Sequence, residues 1–237
     1  MTQQRAFLAA ALAAFTIVET AARADIIFDQ PPSPGYAAAS DTDYIALHGP
    51  DAGQHIWMRI ADDFAFSTPQ TIRQITWWGC YGGDDFPTHP PIGDDYMRIR
   101  IYDPRPEDEL PGNILYEQTL INPSRVATGN IIDIPGDPPE YRYQSDLATP
   151  FVAEAGSTYW LEIAQLGISD SLFRWETTDT GSENDSTSIN DIYLDWTPSP
   201  GIAFAFQLSD TPEPHAIVLL GLGFLAIARI RRAGGPK

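Results

Sequence analysis

Three Asp-Asp-aromatic triplets are the residues best suited to chemistry: Asp62-Asp63-Phe64, Asp84-Asp85-Phe86 and Asp94-Asp95-Tyr96. Adjacent carboxylates repel unless a cation or an arginine lies between them. Short Asp side chains on loops also supply the oxygen ligands that Ca²⁺ takes. The expectation is therefore either Ca²⁺ at one cluster, rigidifying a loop, or solvated turn acids and Asp–Arg pairs. No twelve-residue Ca²⁺-loop spacing is present. The first triplet is the most demanding. On one continuous strand over 55–66, Ile56, Met58, Ile60, Asp62, Phe64 and Phe66 share a face, and Asp62 interrupts an apolar stripe. An unpartnered buried carboxylate is too costly there. Either a bulge turns Asp62 outward, or it meets arginine, backbone N–H groups or Ca²⁺.

Six tryptophans, Trp57, Trp77, Trp78, Trp160, Trp175 and Trp196, are the candidates for stacking on sugars. Trp77 and Trp78 are adjacent in a strand and face opposite sides. At most one is core by alternation; the other faces outward or lies under a loop, and an outward Trp often marks a binding surface. The signals of catalysis are weak. No Gly-x-Ser-x-Gly, His-Glu-x-x-His or Walker pattern occurs. His48, His55 and His89 are far apart and lack helical ligand spacing. Two carboxylates could serve a glycosidase, but with so many acids that discriminates nothing. Cys80, alone in the chain, reads as a buried small residue rather than a nucleophile. It excludes an internal disulfide and a cysteine zinc site.

The charge sharpens these choices. Lys+Arg number 14 against 32 Asp+Glu, a formal charge of −18 over 237 residues. Residues 25–210 are more acidic still, at −22, with 8 arginines, no lysine, 22 Asp and 8 Glu. A nucleic-acid partner is excluded, because phosphate neutralisation needs Lys and Arg. Twenty-one prolines argue against long helices.

The elements that must position these residues are strands. In Tyr96–Tyr102, Met97, Ile99 and Ile101 share one face, and Arg98 and Arg100 the other. The same alternation runs through Thr158–Ala164, Phe173–Glu176, Asp191–Trp196 and Ile202–Leu208. Further strands are expected at Ile26–Asp29, His55–Phe66, Ile72–Trp78, Ile114–Ile121, Tyr141–Gln144 and Phe151–Ala153. Thr-Pro-Ser-Pro at 197–200 reads as a turn. One polar and one apolar face per strand points to an all-β fold, an antiparallel β-sandwich or jelly roll, over residues 25–210.

The two ends read as addresses. Arg5, an apolar run of 13 residues from Ala6 to Val18, and the small-x-small site Ala22-Arg23-Ala24 make 1–24 a signal peptide. The mature chain then begins at Asp25. At the other end Pro212-Glu213-Pro214 precedes an apolar run from Ala216 to Ala228, followed by Arg229, Arg231 and Arg232. That order resembles the PEP-CTERM sorting signal of Gram-negative bacteria, covering 211–237. The resemblance implies a single membrane helix, processing by an exosortase that recognises the triplet, and an exopolysaccharide-building host. The middle resembles a group of secreted bacterial β-sandwich proteins. Ala61-Asp62-Asp63-Phe64, Trp77-Trp78-Gly79, Asp94-Asp95-Tyr96, Arg98-Ile99-Arg100-Ile101-Tyr102, Leu110-Pro111-Gly112 and Thr158-Tyr159-Trp160-Leu161 carry that resemblance. It implies fold and location, not activity. The expected function is a non-enzymatic surface or matrix protein with a structural or adhesive role toward exopolysaccharide. The alternatives are a carbohydrate-binding module using Trp77 or Trp78, and a secreted hydrolase.

Overall fold

The computed structural model describes residues 25–33, 35–45, 55–82, 87–166, 171–179, 186–190 and 195–210, with the backbone alone at 41–45, 55–57 and 186–190. The expected signal peptide with Ala22 and Ala24, the sorting segment with Pro212, Glu213, Pro214, Arg229, Arg231 and Arg232, the acids Asp84 and Asp85, and residues 191–194 of the strand expected at Asp191–Trp196 lie outside them. Residues Ile26–Asp210 form one compact unit. In chain order its strands are β1 (Ile26–Gln30), β2 (Ala37–Ala39), β3 (Asp41–Ile45), β4 (His55–Ala65) and β5 (Gln70–Tyr81). Next come β6 (Tyr96–Pro104), β7 (Pro111–Ile121), β8 (Ser124–Ile131), β9 (Pro139–Ala153) and β10 (Thr158–Gln165). The last are β11 (Phe173–Thr178), β12 (Ser186–Asn190), β13 (Trp196–Ser199), β14 (Ala203–Phe204) and β15 (Phe206–Ser209).

These strands make two sheets. One runs β1-β15-β5-β11-β14, with β2 on β11, β9 on β5 and β8 on β9. The other runs β13-β12-β4-β3-β10-β6-β7, with β4 also paired to β10. The neighbours are antiparallel, apart from a parallel contact between β10 and β3 at Gln165 and Asp41. Both sheets supply the main core. Ile72, Ile75 and Trp77 of β5, Tyr143 of β9 and Phe173 and Trp175 of β11 come from the first sheet. Ile60 and Phe64 of β4, Ile99 and Ile101 of β6, and Leu161 and Ile163 of β10 come from the second. This is a face-to-face, two-layer arrangement consistent with a β-sandwich. Ring contacts tighten it: Trp77 stacks on Tyr143 at 5.2 Å, and Phe64 on Tyr159 at 5.6 Å.

Alternation located most strands but missed four. β2 is three alanines, β3 and β12 are short and polar, and β8 is an almost wholly exposed edge. None carries an apolar period of two. The segments expected at 141–144 and 151–153 are parts of one strand, β9, which runs across the polar residues between them. The expected turn at 197–200 is instead largely strand. Thr197, Pro198 and Ser199 belong to β13 and pair with Ser188, Thr187 and Ser186 of β12. Pro198 is tolerated because β13 is an edge, where its missing N–H breaks no ladder.

Gly79 explains why β11 can lie so close to β5. It sits opposite Trp175, and a Cβ there would meet the Arg174 carbonyl oxygen and come within 2.7 Å of the Phe173 ring. Phe173 is fully buried in the core, so the ring has little room to yield. Gly79→Ala is expected to lower unfolding stability by about 1–3 kcal/mol, the usual range for overpacking. Chemical denaturation checks this, and an unchanged midpoint would contradict it.

Candidate functional site

The outward face of the seven-stranded sheet carries a charged cluster that alternation places there. β10 turns Leu161 and Ile163 into the core, so Trp160 and Glu162 point the other way. On β6 the same rule turns Arg98, Arg100 and Tyr102 outward, and on β4 it turns Arg59 and Ala61. Register then brings them together: Glu162 lies opposite Ala61 on β4 and Arg100 on β6. Its diagonal neighbours are the donors. Arg98 gives two hydrogen bonds to one Glu162 oxygen, from Nε at 3.1 Å and Nη2 at 2.7 Å. The Tyr102 hydroxyl donates to the other at 2.5 Å, and Arg59 Nη1 reaches that oxygen at 3.4 Å. Glu162 is fully buried. Burial and the Glu162 charge raise the Tyr102 hydroxyl above its ordinary pKa, keeping it a donor.

The β6–β7 connection and the start of β13 build walls over this face. Arg105 grips Asp108 through Nε at 3.0 Å and Nη2 at 2.8 Å, and reaches Asp195 through Nη1 at 2.7 Å. That bond holds the Asp195 carboxyl below the usual carboxylate range. Trp196 packs edge-on to Tyr102 at 5.7 Å, and the Arg59 guanidinium lies over the Trp196 ring at 5.2 Å. The Trp160 indole donates to the Glu109 carbonyl at 2.8 Å, while Glu109 holds a left-handed φ of 63°. Strained backbone of this kind persists only where its surroundings hold it.

Two clefts flank this connection. One, of about 530 Å³, is lined by Arg59, Arg100, Tyr102, Arg105, Asp195 and Trp196 among others. The second, of about 660 Å³, takes Asp63, Asp103, Asp108, Leu115, Ser157 and Trp160. Arg100 also pairs with Glu117 of β7.

The expected site residues fall differently. Asp62 does lie on the core side of β4, fully buried, and it meets backbone N–H groups. Its Oδ2 accepts from Phe204 N at 2.6 Å and its Oδ1 from Asp63 N at 2.9 Å. Asp63 borders the larger cleft. Asp95 is buried and takes the arginine route: Arg125 Nη1 donates at 2.7 Å, joined by the Tyr81 hydroxyl. Asp94 is exposed and accepts from Asn122 Nδ2 at 2.8 Å. Among the described residues no group of three or more His, Cys, Asp or Glu is placed to hold a metal.

The sugar platform expected at Trp77 and Trp78 is not formed. Trp77 is enclosed in the core, and Trp78, though turned outward, is covered to 8% exposure. Trp160, Trp175 and Trp196 are equally covered, and the side chain of Trp57 lies outside the described residues, as do His48 and the His55 ring. His89 is exposed. Cys80 is buried, as expected of a small core residue, and burial pushes its thiol up to about 12. Sequence reasoning missed Glu162, Arg59, Arg105 and Tyr102. The signal available was the polar face of the Tyr96–Tyr102 strand, whose two arginines implied an acidic neighbour.

The other sheet hides a second unexpected feature on its outward face. Glu176 of β11 and Glu140 of β9 are both buried there, beside Cys80 and Arg174. Among the described residues no donor gives a hydrogen bond to either oxygen of Glu176.

The fold and this face define the class: an all-β protein of two antiparallel sheets with a structured arginine-rich outer cleft. The chain belongs to the family DUF7901, a domain of unknown function, whose model matches residues 26–211. A search of the curated proteins found no match.

Burial, with the nearby Glu140 charge and a hydrogen bond to it, pushes the Glu176 carboxyl from 4.5 up to about 9. Between those values the folded chain holds a proton that the unfolded chain has released, so this site's contribution to stability falls as pH rises. It is fully present below about pH 4.5 and lost through about pH 9. Glu176→Gln, a neutral isostere, should flatten that decline in thermal melts taken across the window. Equal slopes in variant and parent would refute the assignment.

Proposed function

We propose that the chain is exported and held at the surface or in the extracellular matrix of a Gram-negative bacterium. There it acts without catalysis, as a structural or adhesive partner of exopolysaccharide, through the cleft between β4, β6 and the 105–113 connection. The observation that carries this is the convergence on one sheet face of Arg59, Arg98, Arg100 and Arg105, half of the eight arginines of residues 25–210, around Tyr102 and Trp196. Such a surface offers a polysaccharide hydrogen-bond donors held in fixed positions. The non-catalytic reading is supported by three buried acids, Glu162, Asp62 and Asp95, each engaged by donors of the fold.

The location rests on the two ends of the sequence, which carry the signal-peptide pattern and the Pro212-Glu213-Pro214 triplet with its apolar run and arginines. Exosortase is the processing partner this implies, and the membrane is engaged before processing. Ca²⁺ remains a candidate cofactor at the Asp pairs of the sequence, among them Asp84 and Asp85.

Two measurements test the proposal. Full-length protein purified in detergent should bind the host's exopolysaccharide in a sedimentation assay. Trp196→Ala, which removes the Arg59 platform, should weaken that binding by about tenfold or more, the scale of one lost anchor residue. Binding indifferent to that change would dismiss the cleft. In the host, Glu213→Ala should trap an unprocessed form in the inner membrane, read by mass and fractionation. Undiminished surface release would dismiss the sorting claim.

A further inference from the structure

The ligand chemistry of this cleft can be narrowed, resting on the function proposed above. Neutral polysaccharides are held chiefly by aromatic rings laid against sugar faces. The described tryptophans do not offer that: Trp77, Trp78, Trp160, Trp175 and Trp196 are between 0% and 9% exposed. Trp196 is already occupied by the Arg59 guanidinium and the Tyr102 ring. What the cleft does present is guanidinium.

The four arginines divide into two kinds. Arg98 and Arg59 are committed to Glu162, which is fully buried and cannot exchange with solvent. Arg100 and Arg105 instead hold carboxylates at the rim. Glu117 is 45% exposed and Asp195 is 61% exposed. Exposed ion pairs are worth little, on the order of 0–1 kcal/mol, so these acids can be displaced. Glu117 takes Nε of Arg100 and Asp195 takes Nη1 of Arg105, each a single position that an incoming carboxylate oxygen would take, while Asp108 keeps the Nε/Nη2 side of Arg105. The cleft thus carries its own carboxylates as placeholders.

Exchange rather than excess charge admits such a ligand here. Every arginine of the cleft lining already carries an acid: Glu162 on Arg59, Glu117 on Arg100, and both Asp108 and Asp195 on Arg105. An incoming carboxylate therefore has to take the place of a resident one, in a domain whose formal charge is −22. At physiological salt, charges further apart than about 8–10 Å are largely screened, so a bound group senses the lining rather than the distant acids.

We propose that the cleft binds a carboxylated sugar, a uronic acid residue of an acidic polysaccharide, whose carboxylate displaces Asp195 from Arg105 and Glu117 from Arg100. Arg98, Glu162 and Tyr102 are the positioning residues beneath it. The free sugar hydroxyls meet Asn113 and the rim acids.

Calorimetry on the full-length protein in detergent, with defined oligosaccharides, tests this. An oligogalacturonate is expected to bind, and its methyl-esterified, uncharged counterpart about tenfold more weakly or worse, the loss of one charge-assisted contact. Arg105→Gln should weaken oligogalacturonate by a similar factor, and Arg105→Lys should not restore it, because a point charge cannot hold Asp108 on one side and present a fixed N–H to the ligand on the other. Asp195→Asn should tighten binding several-fold by removing the competitor, about the scale of an exposed pair. A residue needed only for folding would not produce that gain, so the test survives if Arg105→Gln misfolds. Arg73→Gln, on an exposed position of β5, is the neutral control. Equal binding of the esterified oligomer overturns the carboxylate assignment yet leaves a glycan-binding cleft. Equal binding of a sulfated oligomer overturns it in favour of a general anion site. No change with Asp195→Asn overturns the displacement step, and binding of no glycan at all overturns this inference and the proposed function together.

Discussion

A carboxylate sealed beneath a sheet surface must be paired, and Glu162 meets that demand with three donors at once. Removing a carboxylate from water costs several kcal/mol even after relaxation. Arg98, Tyr102 and Arg59 offset that cost, and in doing so they fix the outer surface of β4, β6 and β10. Arg59, anchored by Glu162, becomes a shelf for Trp196. Trp196 places the neighbouring Asp195 within reach of Arg105, which in turn pins the β6–β7 connection through Asp108. One buried charge therefore sets the geometry of the whole cleft.

The same constraint recurs across the domain, and the acids answer it in different ways. Asp62 ties β4 of one sheet to the Phe204 amide of the other, so a polar group helps fix the two layers. Asp95 joins the approach to β6 with Arg125 of β8 and Tyr81 of β5. Among the described residues Glu176 has no cation on either oxygen, and it responds by keeping its proton beside Glu140. Asp62, Asp95 and Glu162 are met by donors of the fold, whereas Glu176 is held above its ordinary pKa by burial and by Glu140.

Strands with one apolar and one polar face were legible from alternation alone: β4, β5, β6, β10, β11 and the β14–β15 segment. β2, β8 and β12 were not, because alanines and exposed polar residues have no period to read. Their strand character comes from the neighbours they pair with. Asp62 was legible as a problem, since it broke an apolar stripe. Its solution required knowing that Phe204 arrives from the opposite sheet. Parity gave Trp77 and Trp78 opposite faces, but parity says nothing about what covers the outward one. The cleft itself joins residues from 59 to 196, and no local pattern could bring Glu162 under Arg98 or Asp195 beside Arg105.

The arrangement is more than the fold requires. Replacing a buried ion pair by well-packed apolar residues is often neutral or even stabilising. An apolar residue at 162, with apolar neighbours at 59 and 98, would satisfy the sheet without any paired charge. Arginine is also scarce here, eight residues in a segment with 30 acids and no lysine. Four of the eight stand at a single face. Stability does not account for that concentration, because an equal number of surface pairs elsewhere would serve as well. The proposed binding role, which needs guanidinium groups at fixed positions, does account for it. Glu162 then serves to hold two arginines still so that two others, with their exposed carboxylates, stand ready at the rim.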